Sequence, residues 1–146
     1  MIRDAREGDI QNIIDGIKDF VSWSSYKTDS VDAAYVGKTL ANLIAHDDGI
    51  VAVMEDDKAA FAGCFVGLAH QHLFSGARML GELFIYTTKS SRGHGGKLRR
   101  FAEEWARERD CKTFNIAYPV SESHLEKVYR RWGFTQSETH WRKELN

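Results

Sequence analysis

A glycine-rich segment constrains the fold of this chain more than any other feature. Residues 90–97 read Ser-Ser-Arg-Gly-His-Gly-Gly-Lys, and they lie between an apolar, strand-like stretch at residues 79–86 and an amphipathic stretch at residues 98–106. A glycine-rich loop at the start of a helix presents backbone N–H groups that have no intrahelical partner, and the helix dipole adds positive potential there. The segment therefore predicts an anion site, most naturally for phosphate.

Two common phosphate-binding motifs do not match this segment. A Walker loop requires a further glycine upstream and a hydroxyl after the lysine, but Leu98 follows Lys97. A dinucleotide fingerprint belongs to the first strand–helix unit of a domain, whereas this loop lies about two-thirds of the way along the chain. The alternative to an anion site is a tight turn that needs glycine for its backbone angles.

Apolar periodicity predicts a single α/β domain over residues 1–146. Apolar side chains recur every three to four residues in four segments, which predicts helices, and short β-branched runs predict strands. The predicted order is β-α-α-β-β-β-α-β-α-β, with a mixed sheet. The elements are a strand at Ile2, a helix at residues 10–21, a helix between Ser30 and Asp47, strands at residues 50–54, 61–68 and 79–86, a helix from residue 98 to about residue 110, a strand at residues 113–118, a helix at residues 123–132 and a closing strand or hairpin at residues 134–145.

Local signals predict where two of these helices begin and end. Asp29 or Ser30 is expected to cap the second helix. Ser123 and Glu126 fit a capping box at the start of the last helix, and Gly133 is expected to end it.

Composition limits the classes of protein to which the chain can belong. Hydrophobic residues make up 42% of its 146 residues and charged residues 28%, which is typical of a globular core and not of a disordered tail. No apolar run reaches the roughly 18 residues that a membrane span requires, and the acidic start does not resemble a secretory signal. We therefore expect a cytoplasmic protein without a membrane partner. Cys64 and Cys111 are expected to be reduced thiols.

The net charge of −1 conceals an uneven distribution. Residues 1–73 carry six basic and twelve acidic side chains, a net charge of −6, whereas residues 74–146 carry fourteen basic and nine acidic side chains, a net charge of +5. The C-terminal half is therefore expected to face an anionic ligand, and the N-terminal half either faces a cation or is acidic surface.

Two motifs carry a resemblance to a known family. Residues 82–95 read Glu-Leu-Phe-Ile-Tyr-Thr-Thr-Lys-Ser-Ser-Arg-Gly-His-Gly, and residues 129–134 read Tyr-Arg-Arg-Trp-Gly-Phe. They resemble, in order and spacing, the strand with its pyrophosphate loop and the closing tyrosine motif of the GCN5-related N-acetyltransferases (GNAT). The opening Ile-Arg-Asp-Ala and the helix after it are also similar, so the resemblance covers essentially the whole chain. It implies the GNAT fold and transfer of an acetyl group from acetyl-coenzyme A (acetyl-CoA) to a primary amine.

The resemblance also implies roles for individual residues. It places Tyr129 beside the coenzyme sulfur as the acid and Glu82 on the preceding strand as the base. The alternatives are that Tyr129 is a core residue of its helix and that Glu82 faces solvent. Backbone groups of the strand and the loop are implied as coenzyme contacts. These contacts are Phe84, Ile85, Tyr86, Ser90, Ser91, Arg92, Gly93, His94, Gly95 and Gly96.

The sequence departs from the family pattern at two positions. With Gly93 and Gly95 on the two small positions of the loop, Ser90 stands where the family usually has glutamine or arginine. This register implies that phosphate is held mainly by backbone amides, with Arg92 as the nearby charge. Glu122 stands where relatives often carry an asparagine, so no coenzyme contact is assigned to it.

The sequence signals for the acceptor-binding site are less specific than those for the coenzyme. Trp23 and Tyr26 lie in a polar segment that often lines the acceptor site in this family, and His72 is a further candidate for that pocket. The acidic N-terminal half favours a cationic amine, as a small molecule or a peptide. His70 and His72 alternate on a strand without other ligands nearby, so no metal is expected. No cysteine has the context of a nucleophile, which favours direct transfer.

A protein of another class is the alternative to an enzyme. Ser90 favours a non-catalytic module of the same fold that binds coenzyme A or a protein partner, whereas Glu82 and Tyr129 together favour catalysis. Acidic residues interrupt the basic residues of the C-terminal half, which argues against nucleic acid as a partner. The sequence does not determine the oligomeric state, and a homodimer is an open alternative.

Overall fold

Five strands form one mixed sheet in the computed structural model, which describes residues 1–146. The strands lie side by side in chain order. The first four are antiparallel to their neighbours, and the fifth is parallel to the fourth. They are β1 (Ile2–Asp4), β2 (Gly49–Glu55), β3 (Phe61–Gln71), β4 (Arg78–Thr87) and β5 (Thr113–Asn115).

Four α-helices cover the two faces of this sheet. Side chains alternate between the faces along each strand, so β2 contributes Val51 and Val53 to one core and Ile50 and Ala52 to the other. The first core is closed by two helices and the second by one, as expected for a mixed α/β domain. The helices are α1 (Ile10–Trp23) and α2 (Ala33–Ala45) on the first face, α3 (Gly95–Glu108) on the second, and α4 (Leu125–Arg131) near the end of the chain.

A gap opens between β4 and β5. The two strands pair only where Met79–Gly81 meets Thr113–Asn115, and β4 continues alone to Thr87. A register shift opposite Val66/Gly67 leaves Leu83 as an extra residue on β4. Such a bulge bends its strand and increases its twist. The C-terminal half of β4 therefore has a partner, β3, on only one side.

The closing strand predicted at residues 134–145 does not form. Every residue from Thr135 to Asn146 is exposed and outside regular structure. The reason is that most of these side chains are polar or charged, so pairing the segment with the sheet of the same chain buries little apolar surface. The predicted order is otherwise confirmed, except that β5 ends at Asn115 instead of residue 118.

The predicted caps of two helices were wrong. Asp32, and neither Asp29 nor Ser30, caps α2, because its carboxylate accepts the N–H of Tyr35. Ser123 does not cap α4, since a single 3-10 turn over Val120–Glu122 leads the chain into the helix with the backbone already helical. A capping side chain requires extended backbone at its own residue.

No helix of the structure has the length and apolar character needed to cross a membrane. Cys64 and Cys111 are both free thiols, and Cys64 is buried in the core beneath α1 and α2.

The cap of α2 makes a testable prediction. Asp32→Ala should lower the free energy of unfolding by about 1 kcal/mol, because the first turn of α2 loses its side-chain acceptor. Ser30→Ala is the control, since Ser30 is exposed and should change stability by less than about 0.5 kcal/mol. Urea denaturation measures both. Equal effects of the two substitutions would contradict the assignment.

Candidate active site

Glu82 and Tyr129 converge on the backbone of one residue, Ala117, at the mouth of the gap between β4 and β5. The N–H of Ala117 donates to Glu82 Oε2 at 3.1 Å, and the hydroxyl of Tyr129 donates to the carbonyl oxygen of Ala117 at 2.8 Å. Ala117 lies two residues beyond β5 and has left the ladder with β4. Two side chains from different elements therefore replace the backbone partners that Ala117 would have within a longer strand.

Burial perturbs the carboxyl group of Glu82. The side chain is half-buried, and desolvation raises its pKa to about 7, while the hydrogen bond from the N–H of Ala117 acts in the opposite direction. A carboxyl group with this pKa exchanges its proton near neutral pH, as a general base must do. The alternative that Glu82 simply faces solvent does not fit this environment.

Burial also raises the pKa of the Tyr129 phenol, which therefore stays protonated at neutral pH. Its side chain is buried, and burial first, then the negative charge of Glu82 and then Tyr118, raise its pKa above the ordinary value for tyrosine. The ring stacks on Trp132 with 5.6 Å between centroids, and Tyr118 contacts its edge at 5.6 Å. Tyr129 is thus a core residue of α4 that also keeps a protonated hydroxyl at the gap.

The glycine-rich loop begins directly after β4. A single 3-10 turn over Lys89–Ser91 leads to Gly93, whose φ of 91° lies in the left-handed region that favours glycine. The N–H groups of Gly93, Gly95 and Gly96 donate to no other group of the protein. Three unpaired N–H groups at the start of a 14-residue helix are the donors that an anion site requires, and anion binding there stays a prediction.

The indole of Trp132 supports the start of α3. A Cβ atom at Gly96 would lie 3.5 Å from this ring, and one at Gly95 would lie 3.7 Å from it. The guanidinium of Arg99 covers the ring at 5.5 Å from its centroid. Trp132 therefore connects the loop to Tyr129, a role that its spacing on α4 did not distinguish from ordinary core packing.

The three predicted coenzyme contacts on β4 do not all direct their backbone groups toward the gap. Because Thr88 N–H donates to the Ala62 carbonyl and hydrogen-bonding direction alternates along a strand, Phe84 and Tyr86 direct their backbone groups toward β3. Ile85 directs its own toward the gap. The side chain of Tyr86 instead donates its hydroxyl to Asp19 Oδ2 at 2.7 Å.

The segment after α1 borders the same region. Trp23 and Tyr26 are 42% and 40% exposed and pack against Phe20, at 5.1 and 6.1 Å between ring centroids. Arg92 of the loop lies 6.0 Å from the ring of Trp23. Ser25 N–H donates to the hydroxyl of Ser121 at 3.0 Å, so this segment also contacts the chain between Ala117 and α4.

His72 is separated from the other candidates. It lies in the hairpin between β3 and β4, where its Nδ1 accepts the N–H of Phe74 at 3.1 Å. Glu82 lies four positions after Arg78, the first residue of β4, a distance of about 13 Å along the strand. His72 therefore stabilises a turn and is not part of the Glu82 cluster. The structure contains no group of three or more potential metal ligands.

Comparison with solved structures assigns the architecture. A transcriptional regulator from Bacillus halodurans C-125 superimposes with a TM-score of 0.82 at 17% identity, covering 99% of both chains. Glucosamine-6-phosphate N-acetyltransferase from Arabidopsis thaliana gives a TM-score of 0.78 at 14% identity, covering 100% of this chain and 98% of the other. The chain has the GNAT fold.

A third neighbour has a different acceptor in its name. Aminoglycoside 6'-N-acetyltransferase from Acinetobacter haemolyticus gives a TM-score of 0.76 at 17% identity, covering 100% of this chain and 99% of the other. Neither models of protein families nor curated protein sequences match the chain. The gap between β4 and β5 and the loop that follows β4 are together called the groove below.

The environment of Glu82 makes a prediction about stability. Its pKa is raised in the folded protein, so its contribution to stability is present below the ordinary pKa of 4.5 and is lost as the pH rises through about 7. The Glu82→Gln variant cannot lose stability in this way. The difference in melting temperature, variant minus parent protein, should therefore be larger at pH 8 than at pH 4.5. Differential scanning calorimetry at both pH values measures the change.

Glu104→Gln is the control for this measurement, because Glu104 is exposed on α3 and has no hydrogen-bond partner in the protein. A Glu82→Gln effect that is the same at both pH values, or that Glu104→Gln reproduces, would refute the effect of burial on Glu82.

Proposed function

We propose that this protein is an N-acetyltransferase that moves the acetyl group of acetyl-CoA directly to a primary amine. The observation that carries the proposal is the convergence of Glu82 and Tyr129 on Ala117 at the mouth of the gap. A carboxyl group with a pKa near neutrality and a phenol with a raised pKa form an acid–base pair. Acetyl-CoA supplies the activated thioester.

The groove has the groups that a coenzyme of this kind requires. A pyrophosphate is an anion, and the free N–H groups of Gly93, Gly95 and Gly96, together with the guanidinium of Arg92, are its expected partners. Ser90 and Ser91 shape the 3-10 turn before the loop, and His94 is the exposed residue that precedes α3. The backbone groups of Ile85, which point toward the gap, are the expected partners of the amide groups in the coenzyme A chain.

Glu82 acts as the base in this proposal. Amide formation requires the acceptor amine to lose a proton, and a carboxylate at the mouth of the gap removes it directly or through water. The pKa of about 7 places the carboxylate form in useful amounts at neutral pH while retaining basicity.

Tyr129 acts as the acid. Its raised pKa keeps the hydroxyl protonated, so it can donate a proton to the departing sulfur. To do so, the hydroxyl exchanges its hydrogen bond with the Ala117 carbonyl for one with the sulfur. Direct transfer is favoured because Cys64 is fully buried, and burial raises the pKa of its thiol.

A cationic amine is the expected acceptor. Trp23 and Tyr26 present partly exposed aromatic surface, and Asp19 and Asp29 lie in or next to the same segment. Aromatic rings and carboxylates together favour a positively charged ligand. Asp29 already accepts a guanidinium, since Arg142 donates two hydrogen bonds of 3.0 Å to it.

A non-catalytic module is the second candidate. Ser90 at the usual basic position of the loop favours it, and one protein of similar fold is described as a transcriptional regulator. Such a module would bind coenzyme A without releasing thiol. Assay of free thiol over a panel of polyamines, aminoglycosides, amino acids and peptides separates the two candidates, and acetyl-CoA binding without thiol release would favour the module.

Replacement of the acid makes a kinetic prediction. Tyr129→Phe should lower kcat by about 100-fold or more, because the phenol no longer donates a proton. The KM for acetyl-CoA should change by less than about threefold, since the ring and its packing on Trp132 are retained. Thiol-release kinetics measure both constants. The opposite result, a retained kcat with a large increase in KM, would refute the role of Tyr129.

The pH profile tests the base. The rate at saturating substrates should rise with pH through about 7 as Glu82 loses its proton. Glu82→Gln should abolish most of the rate and remove this rise. An unchanged pH profile in Glu82→Gln would assign the titration to another group, such as the acceptor amine itself.

A further inference from the structure

Residues 24–29 form a bridging segment that extends from β4 to the chain beyond β5. They follow α1, whose last turn packs on β4 through Phe20 and Phe84, with 5.4 Å between ring centroids. At the other side, the N–H of Ser25 donates to the hydroxyl of Ser121 at 3.0 Å, in the turn before α4. The bridging segment therefore lies across the gap, on the face of the sheet that α1 and α2 cover.

The carboxylates of Asp19 and Asp29 have different kinds of partner in this region. Asp19 Oδ2 accepts two neutral donors, the hydroxyl of Tyr86 at 2.7 Å and the indole N–H of Trp23 at 3.4 Å. Asp29 is fixed in the bridging segment by its backbone N–H, which donates to the carbonyl oxygen of Tyr26 at 2.8 Å. Its carboxylate is paired with a cation, so Asp29 is the carboxylate of the bridging segment that already recognises positive charge.

The cation is a guanidinium from the end of the chain. Arg142 Nη1 donates to Asp29 Oδ2 and Arg142 Nη2 to Asp29 Oδ1, both at 3.0 Å. Two parallel hydrogen bonds of this kind match the planar fork of a guanidinium and not the point charge of an ammonium group. Arg142 belongs to an exposed C-terminal arm, residues 135–146, and these two hydrogen bonds connect the arm to the rest of the chain.

The pair of Arg142 and Asp29 contributes little to the stability of the fold. Their side chains remain 56% and 34% exposed, and water and salt screen an exposed ion pair. Nothing else anchors the arm, since even Trp141 and Leu145 are exposed. On release, Arg142 keeps a partner, because its Nη2 lies 2.8 Å from Glu144 Oε1 within the arm. A ligand can therefore displace Arg142 from Asp29 at low cost.

An acceptor with a single amine cannot use both Glu82 and Asp29. In the proposed transfer, the reacting amine gives up its proton near Glu82 and is neutral when it attacks the thioester. A cation on Asp29 must then be a second group of the acceptor. The bidentate contact that Asp29 makes with Arg142 indicates which group fits it best, a guanidinium.

We propose that Asp29 selects an acceptor that carries a guanidinium in addition to its primary amine, and that Arg142 occupies Asp29 until such an acceptor displaces it. The inference rests on the acetyl transfer proposed above and adds the second charged group of the acceptor. Arg142 acts as an internal competitor, which keeps Asp29 paired when no acceptor is bound. The acetyl group still passes from the coenzyme sulfur to the amine nitrogen, and the guanidinium takes no part in bond formation.

Binding in the absence of the coenzyme tests the displacement. The probe is agmatine, an aliphatic primary amine with a terminal guanidinium, and n-butylamine is the matched amine without that group. In NMR titrations of the 15N-labelled protein, agmatine should shift the amides of Asp29 and Arg142 with saturation, and n-butylamine should not do so at the same concentrations. Asp29→Asn should weaken agmatine binding by about tenfold or more, because charge-assisted hydrogen bonds are lost.

Two variants of the arm separate competition at Asp29 from a general effect of charge. Arg142→Gln removes the internal cation and should strengthen agmatine binding about threefold, the scale expected for an exposed ion pair. Lys143→Gln removes the same charge from the next residue, which is exposed and forms no ion pair, and should change the affinity by less than about 1.5-fold. Equal effects of the two variants would overturn the competition. An absence of saturable shifts at Asp29, or an unchanged affinity in Asp29→Asn, would overturn the role of Asp29.

Thiol-release kinetics distinguish failure of this inference from failure of the proposed acetyl transfer. Arg142→Gln should lower the KM for agmatine about threefold and leave the KM for acetyl-CoA unchanged, because the competition concerns the acceptor alone. An equal kcat/KM for n-butylamine and agmatine would overturn the selection by Asp29 while acetyl transfer stands. Agmatine binding that depends on Asp29, without thiol release from any amine, would refute acetyl transfer while the displacement of Arg142 stands.

Discussion

The separation of β5 from β4 is the constraint on which the rest of this structure depends. Parallel strands normally satisfy one another's backbone groups, and their separation after Gly81 leaves those groups without partners. Glu82 and Tyr129 supply replacement partners for the N–H and the carbonyl of one exposed residue, Ala117. The same two hydrogen bonds place a carboxyl group and a phenol at the mouth of the gap. The hydrogen bonds that stabilise the gap therefore also position the proposed acid–base pair.

The uneven charge of the two halves of the chain is explained partly by ion pairs and hydrogen bonds within the fold. Part of the acidic excess is used within the fold, since Arg3 pairs with Asp9 and Glu55, and Arg78 pairs with Asp48. Asp19 is engaged by the hydroxyl of Tyr86. On the basic side, Arg92 and the free amides of the loop are concentrated at the start of α3, where the helix dipole favours an anion.

Much of the fold could be predicted from the sequence, because apolar periodicity reports directly which faces are buried. The strands β2, β3 and β4, the four helices and the loop before α3 follow from this signal. The closing strand could not be predicted correctly, since alternation in residues 134–145 shows a capacity to pair and does not show whether a partner is present in the same chain. The cap of α2 is Asp32, whereas Asp29 or Ser30 was predicted. The sequence could not decide between them, because all three residues have side chains suited to capping a helix.

The candidate site was only partly accessible to sequence analysis. Glu82 and Tyr129 were found through the resemblance to the GNAT family, and the structure brings both to the backbone of Ala117. Ala117 carried no signal, since it acts through its backbone and any residue other than proline provides the same groups. The direction of the Phe84, Ile85 and Tyr86 backbone groups depends on how β4 pairs with β3, which the sequence does not reveal.

The most direct test of the central claim is an NMR titration of the 15N-labelled protein with acetyl-CoA. The account predicts that amide shifts concentrate on the gap and the loop, at Leu83, Ile85, Gly93, Gly95 and Gly96, and that they saturate together with one dissociation constant. Phe84 and Tyr86, whose amides donate toward β3, should shift less than Ile85. An absence of shifts at saturating acetyl-CoA, or shifts confined to another surface, would contradict the claim that this groove binds the coenzyme.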